Sequence, residues 1–203
     1  MIDALRLRVG AWALLPEGAR SLLRILVVLD QDHGTIASVV DSLREALRGA
    51  GLTGVELAPQ PGYERVYVLK SPSPMLRLSL HAAGNPAVCQ HFPALGHRST
   101  DDDVLLLALQ PDIAAAMLAE RHASRQKLGP ERLLTKVKTE LPSLMLANGL
   151  DPFVFAKDHI RFYAAVLGTS TSPAAFSQTV VKHAGADALR RTFAPLLSAV
   201  AAL

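Results

Sequence analysis

The chain has 203 residues, half of them apolar and 19% charged, with a formal net charge of +3. That is ample material for a core and too little charge for a disordered polyelectrolyte. A pI near 9.2 is compatible with nucleic acid, but strong binders concentrate their charge and this chain spreads it. The single cysteine, Cys89, excludes an intrachain disulfide framework and a multi-cysteine metal site. Every apolar stretch is broken by Arg, Asp, Pro or Gly well short of the ~18 residues of a spanning helix. Residues 1 to 20 lack the basic-apolar-small order of a signal peptide, so the expected compartment is the cytoplasm, with no membrane partner.

Residues 2 to 14 predict a helix ended by Pro16-Glu17-Gly18. The run Arg24-Ile25-Leu26-Val27-Val28-Leu29-Asp30 lacks alternation and predicts a strand buried on both faces, hence a parallel sheet. Asp30 and Asp32 close that run, where open α/β sheets bind ligands. Alternate residues of extended backbone point the same way, so both carboxylates are expected to face one divalent cation, Mg²⁺. Ile36, Val39, Val40, Leu43 and Leu47 then mark an amphipathic helix stopped by Gly49 and Gly51. Short strands are expected at 55–58, 65–70 and 75–81, the last two separated by Ser71-Pro72-Ser73-Pro74. Residues 82 to 100 read as a loop rich in Gly, Pro and His. From Asp101 onward only helices are expected, at 101–119, 131–147, 152–167, 173–183 and 186–202.

The expected fold is therefore α/β, a small, mostly parallel sheet of about four strands with a helical C-terminal half. The whole chain is expected to form one domain, its sheet-containing half ending near residue 100.

Three features combine: the acidic strand end Asp30-Gln31-Asp32, the acidic helix start Asp101-Asp102-Asp103, and Lys157 on a late helix. In this order the chain resembles the Toprim-like proteins related to OLD-type nucleases, in particular a family of uncharacterised function. The apolar strand, acid pair and following helix span Ile25 to Gly51. The acidic helix start is matched by Asp102-Asp103-Val104-Leu105. The later helices are matched by Lys157–Ala165, Ser172–Gly185 and Phe193–Leu197. The resemblance implies a Mg²⁺ site held by Asp30 and Asp32 with Asp102 or Asp103. It further implies phosphodiester chemistry on nucleic acid, with Lys157 adding charge stabilisation. Toprim domains also place a glutamate after a first strand as general acid or base; the corresponding letters here, Pro16-Glu17-Gly18, follow a helix-like segment. The expected partners are nucleic acid and further copies of the chain as a homo-oligomer.

Other readings remain open at this level. An Asp-x-Asp after an apolar strand also opens haloacid-dehalogenase-like phosphatases, in which a Thr stands where this chain has Gly34, with Thr35 one residue later. A non-catalytic module that binds nucleic acid or protein is a further alternative. Acids at 101–103 also suit a helix start capped by Ser99 or Thr100. His81, His91 and His97 lack tight ligand spacing and read as solvated or loop-packing residues. Cys89 reads as a buried thiol. Lys157, His159 and Arg161 read as a solvent face, and so do Arg121, Arg125, Lys127, Arg132, Lys136 and Lys138, interleaved with glutamates.

Overall fold

The computed structural model describes residues 2–32, 34–71 and 73–203; Pro72 of the expected proline loop and the Arg125 side chain lie outside the described residues. The chain divides into two compact units, Met1–Ala83 with Ala194–Leu203, and Gly84–Phe193.

The first unit opens with α1 (Ile2–Ala13), a 3-10 turn (Glu17–Ala19) and β1 (Leu23–Asp30). Trp12 ties this entry together: its indole N–H donates to Ser21 O at 2.9 Å, and the Arg20 guanidinium lies 5.0 Å over the ring. α2 (Ile36–Gly49) is started by a capping box. Thr35 accepts from the Ser38 N–H, and the Thr35 N–H donates back to Ser38 Oγ. At its end Gly51, with φ +82°, lets Leu52 N–H reach back to Leu47 O. β2 (Glu56–Gln60), β3 (Tyr63–Lys70) and β4 (Leu76–Ala83) follow.

The sheet order is β1-β4-β3-β2. Only β1 and β4 run parallel, with Leu23 beside Leu76 and Asp30 beside Ala83; β2/β3 and β3/β4 are antiparallel. The mostly parallel sheet expected from the sequence is thus corrected to a mixed, mostly antiparallel one. The reason is connection length. A parallel crossover needs a dozen or more residues, and only β1 is followed by a helix before the next strand. β2 and β3 are joined by the Pro61-Gly62 turn, and β3 and β4 by residues 71–75.

The expectation that β1 is buried on both faces is corrected too. β1 is an edge strand, and of its residues only Val27 is fully buried. β4 is the buried central strand. Its Leu76, Leu78, Leu80 and Ala82 form one core with Leu23, Ile25, Val27 and Leu29 of β1, Leu43 and Leu47 of α2, and Val9 and Trp12 of α1. The other face is polar in part. Ser79 Oγ donates to Ala199 O at 2.6 Å and Arg77 to Leu203 O at 3.2 Å, which fastens the final helix, Ala194–Ala201, against β3 and β4.

The second unit is helical. After the 3-10 turn Pro86–Gln90 come α3 (Asp101–Ala108), α4 (Pro111–Ala119), α5 (Ala123–Gln126), α6 (Pro130–Thr135), α7 (Leu141–Ala147), α8 (Ala156–Leu167), α9 (Pro173–His183) and α10 (Ala186–Thr192). The final helix is α11. Pro111 divides the expected 101–119 helix, because proline supplies no N–H to the preceding turn. Between α6 and α7 the backbone widens into a π segment at Lys136–Glu140, where Leu141 N–H bonds to Lys136 O and Pro142 follows without a donor. The unit's core includes Leu105, Met117, Leu133, Ile160, Tyr163 and Phe176. Tyr163 also donates its hydroxyl to Ala108 O at 2.8 Å.

Candidate functional site

Asp30 is the last residue of β1, exposed, and paired in register with Ala83. Because β1 and β4 run parallel, their carboxyl ends open on the same edge of the sheet. Gln31 crosses that edge, its side-chain amide donating to Ala83 O at 3.0 Å. Asp32 then leaves extended backbone with φ +49°, the one non-glycine residue with positive φ among those described. Aspartate tolerates this left-handed conformation better than most residues because its short side chain bonds locally. The alternation argument therefore ends at Asp30: the turn, and not strand pleating, sets the direction of the Asp32 carboxylate. Gly34 follows, its N–H donating to Gln31 O at 2.7 Å. A Cβ there would stand 2.6 Å from Ser38 Oγ and 3.1 Å from Gln31 O, so the tight approach of turn and helix needs glycine. Thr35, the phosphatase-type candidate, uses its hydroxyl to cap α2.

The second acidic group belongs to the other unit and has a different character. Asp102 and Asp103 are buried, 0% and 3% exposed. Asp102 Oδ2 accepts the Asn85 backbone N–H at 3.0 Å, and Asp103 Oδ1 accepts the Asn85 side-chain amide at 2.7 Å. Asn85 in turn caps the Pro86–Gln90 turn by accepting Ala87 N–H at 3.1 Å. Burial pushes the Asp102 carboxyl up to about 6, against the bond from Asn85 N–H and the nearby Arg98 charge. Its Oδ1 is buried with no hydrogen-bond partner. At the start of α3 the N-cap residue Thr100 makes no side-chain capping hydrogen bond, and Ser99, one residue earlier, accepts the Asp101 N–H at 3.3 Å.

Lys157 is exposed near the start of α8, its ammonium 4.5 Å from the Phe155 ring centre. Arg161 is exposed and pairs with Asp158 at 2.8 Å, but His159 is not on the solvent face expected for it. It is 4% exposed, its ring 3.9 Å from that of Phe92 and edge-on to Phe153 at 5.2 Å. Burial lowers its pKa to about 4, so the ring is neutral near pH 7. His159 also borders a cavity of about 100 Å³ with His91, Phe92, Lys138, Met145 and Phe153. The signal for this placement was present in the sequence: His159 lies one turn from Tyr163 and next to Ile160.

His81 lies in β4, 3% exposed, with neither ring nitrogen hydrogen-bonded; burial, reinforced by the Arg65 charge, lowers its pKa to about 4. It belongs to the first unit, whereas His91 and His97 belong to the second, where His97 stacks on Phe155 at 3.7 Å. Cys89 is half-buried, its sulfur in contact with the Arg98 guanidinium. In the basic stretch Glu140 pairs with both Arg132 and Lys136, and Arg121 pairs with Glu120. Among the described residues no group of three or more His, Cys, Asp and Glu is arranged to hold a metal ion. None of the described helices is long and apolar enough to cross a membrane.

No family model, curated protein or solved structure matches the chain.

Proposed function

We propose that the protein is a Toprim-like module that binds Mg²⁺ through Asp30 and Asp32 and engages nucleic-acid phosphodiesters. The observation that carries this reading is the exposed Asp30 at the carboxyl end of β1, beside the carboxyl end of its parallel neighbour β4. That edge is where α/β sheets place ligands. Mg²⁺ keeps several waters and commonly takes only one or two protein carboxylates, with substrate phosphate completing its shell. Two exposed carboxylates suit this open mode; they do not form a closed cage. When bound, such an ion stabilises charge on a phosphoryl oxygen and lowers the pKa of its water. The chain's own part is to hold the two carboxylates: pairing with β4 fixes Asp30, and the left-handed turn ahead of the Gly34 approach fixes Asp32. Asp102 and Asp103 are engaged with Asn85 and are assigned a structural role in this reading. Lys157, exposed in the second unit, is assigned to phosphate contact.

The position of Glu17 favours a version that binds without cleaving. It opens an exposed 3-10 turn after α1, whereas the Toprim acid-base glutamate follows a strand. A homo-oligomer in the cytoplasm completes the reading.

The test is a Mg²⁺ and Mn²⁺ titration followed by calorimetry and thermal shift, on the wild type, Asp30→Asn and Asp32→Asn. The wild type is expected to gain about 1.4 kcal/mol at tenfold excess over Kd, and each variant to lose at least about tenfold in affinity, the loss of ~1.4 kcal/mol of ligand contact. A wild type that ignores both ions ends the metal reading. Labelled DNA and RNA in the same buffers, scored for retention and for cleavage, separate binding from nuclease action. Turnover of p-nitrophenyl phosphate without nucleic-acid retention would support the phosphatase instead.

A further inference from the structure

The cavity of about 100 Å³ beside His159 lies wholly in the second unit, and its wall is mostly apolar. The His159 ring meets two phenylalanines there, Phe92 at 3.9 Å and Phe153 edge-on at 5.2 Å, and Met145 adds a thioether. Such a surface suits a flat ring, through offset and edge-on contact with the phenylalanines and through the adaptable methionine. Water fits it poorly, because a confined water needs two or more polar partners. His159 itself bonds the Phe153 backbone, and its Nδ1 has no hydrogen-bond partner. Pro93 and Ala94 of the wall are exposed, and Met145 and Phe153 are half-buried, so the recess opens at the surface.

The same wall carries one permanent cation, Lys138. It lies in the π segment Lys136–Glu140, a widened turn of the kind that recurs at functional sites. Glu140 pairs with Arg132 and Lys136, whereas Lys138 pairs with no carboxylate among the described residues. Its ammonium stays by the cavity: after burial, the Lys138 charge is what lowers the pKa of His91, another residue of the wall. A half-buried cation without a counter-ion, beside an apolar recess, is matched by a ligand that carries both a ring and a negative charge. The volume sets the size. An apolar cavity of about 150 Å³ takes a benzene, so this smaller, open recess takes one ring and leaves the charged group at its mouth. We propose that the recess binds a small single-ring aromatic carboxylate, the ring against Phe92, Phe153 and Met145 and the carboxylate on the Lys138 ammonium. This site is independent of the metal reading at Asp30 and Asp32, which belong to the first unit.

The experiment is an NMR titration of the full chain with benzoate in metal-free buffer, read from isotopically labelled methionine methyl groups. Met145 lies on the cavity wall, whereas Met117 belongs to the core of the same unit and Met75 to the first unit, so both serve as internal controls. Benzoate is expected to shift the Met145 methyl saturably, with a Kd on the order of 1 mM for so small a ligand, and to leave Met75 and Met117 in place. Benzamide, the same ring without the charge, is expected to bind about fivefold more weakly. Acetate, the charge without the ring, is expected to shift nothing. Lys138→Gln is expected to abolish the preference for benzoate over benzamide, with unchanged Met75 and Met117 signals reporting that the variant is folded. A Met145 methyl that ignores benzoate overturns the site. Equal binding of benzoate and benzamide by the wild type overturns the carboxylate, whether or not Lys138→Gln folds. An acetate response equal to that of benzoate overturns the ring. A preference for benzoate that survives in Lys138→Gln overturns the role of Lys138.

Discussion

The two acidic groups sit in opposite physical situations. Asp30 is exposed at a strand end and Asp32 follows it in left-handed backbone, while Asp102 and Asp103 are buried at a helix start and bound to Asn85. In sequence they look alike, short acidic runs at element boundaries. What separates them is solvent. A buried carboxylate must be satisfied from within, and these two accept both the backbone and the side-chain N–H of one asparagine. A carboxylate at the surface is in contact with water, which an ion can displace. Acidity at a boundary therefore says little about role until depth is known.

That contrast predicts an asymmetry in stability. Replacing Asp102 and Asp103 together by Ala strands the Asn85 donors and is expected to cost about 3 kcal/mol in urea unfolding. Asp30→Asn and Asp32→Asn are expected to stay within about 0.5 kcal/mol of the wild type. Equal losses from the two pairs would erase the distinction.

The pH dependence sharpens it further. Asp102 has a folded pKa raised to about 6 by burial, so its contribution to stability is full below the ordinary carboxyl pKa and is lost as pH rises through about 6. Asp102→Asn, which can still accept from Asn85, is expected to remove a loss on the order of 2 kcal/mol between pH 4 and pH 7. His81 and His159 act in the opposite sense. Their folded pKa values near 4 lie below the ordinary 6.5, so their contribution is full above 6.5 and is lost as pH falls toward 4. Unfolding curves from pH 4 to pH 8 for the wild type, Asp102→Asn and His159→Phe separate the two trends. An unchanged slope in Asp102→Asn would contradict the buried, proton-binding carboxyl.

The smallest effect concerns backbone alone. At φ +49°, Asp32→Gly is expected to be neutral or stabilising by a few tenths of a kcal/mol, whereas Asp32→Val is expected to cost about 1–2 kcal/mol. Thermal unfolding of the two variants in metal-free buffer checks this. Equal stability would mean that residue 32 is not held in the left-handed region.

Some corrections to the sequence reading were available in the sequence itself. The connections from β2 to β3 and from β3 to β4 are too short for parallel crossovers, so an antiparallel arrangement of those strands was legible from spacing. Pro111 likewise announced a break between α3 and α4. The burial of His159 was partly legible, since it shares a helix turn with Ile160 and Tyr163. The left-handed Asp32 was not: an aspartate before His33-Gly34 is compatible with several turns, and the choice depends on how β1, Gln31 and Ala83 meet.

The sequence by itself determined where β1 stops, where α2 is capped and ended, and that an acidic pair follows an apolar strand. Those are local properties, decided by side-chain size, hydrogen-bonding groups and glycine over a few neighbouring positions. Only the tertiary structure decided that β1 is an edge strand, that Asp102 and Asp103 are buried, and that Asp30 stands exposed beside Ala83. Each of these depends on contact between residues far apart in the chain, as in the pairing of Leu23 with Leu76. Local periodicity reports that a face is apolar; it carries no record of what comes to lie against it.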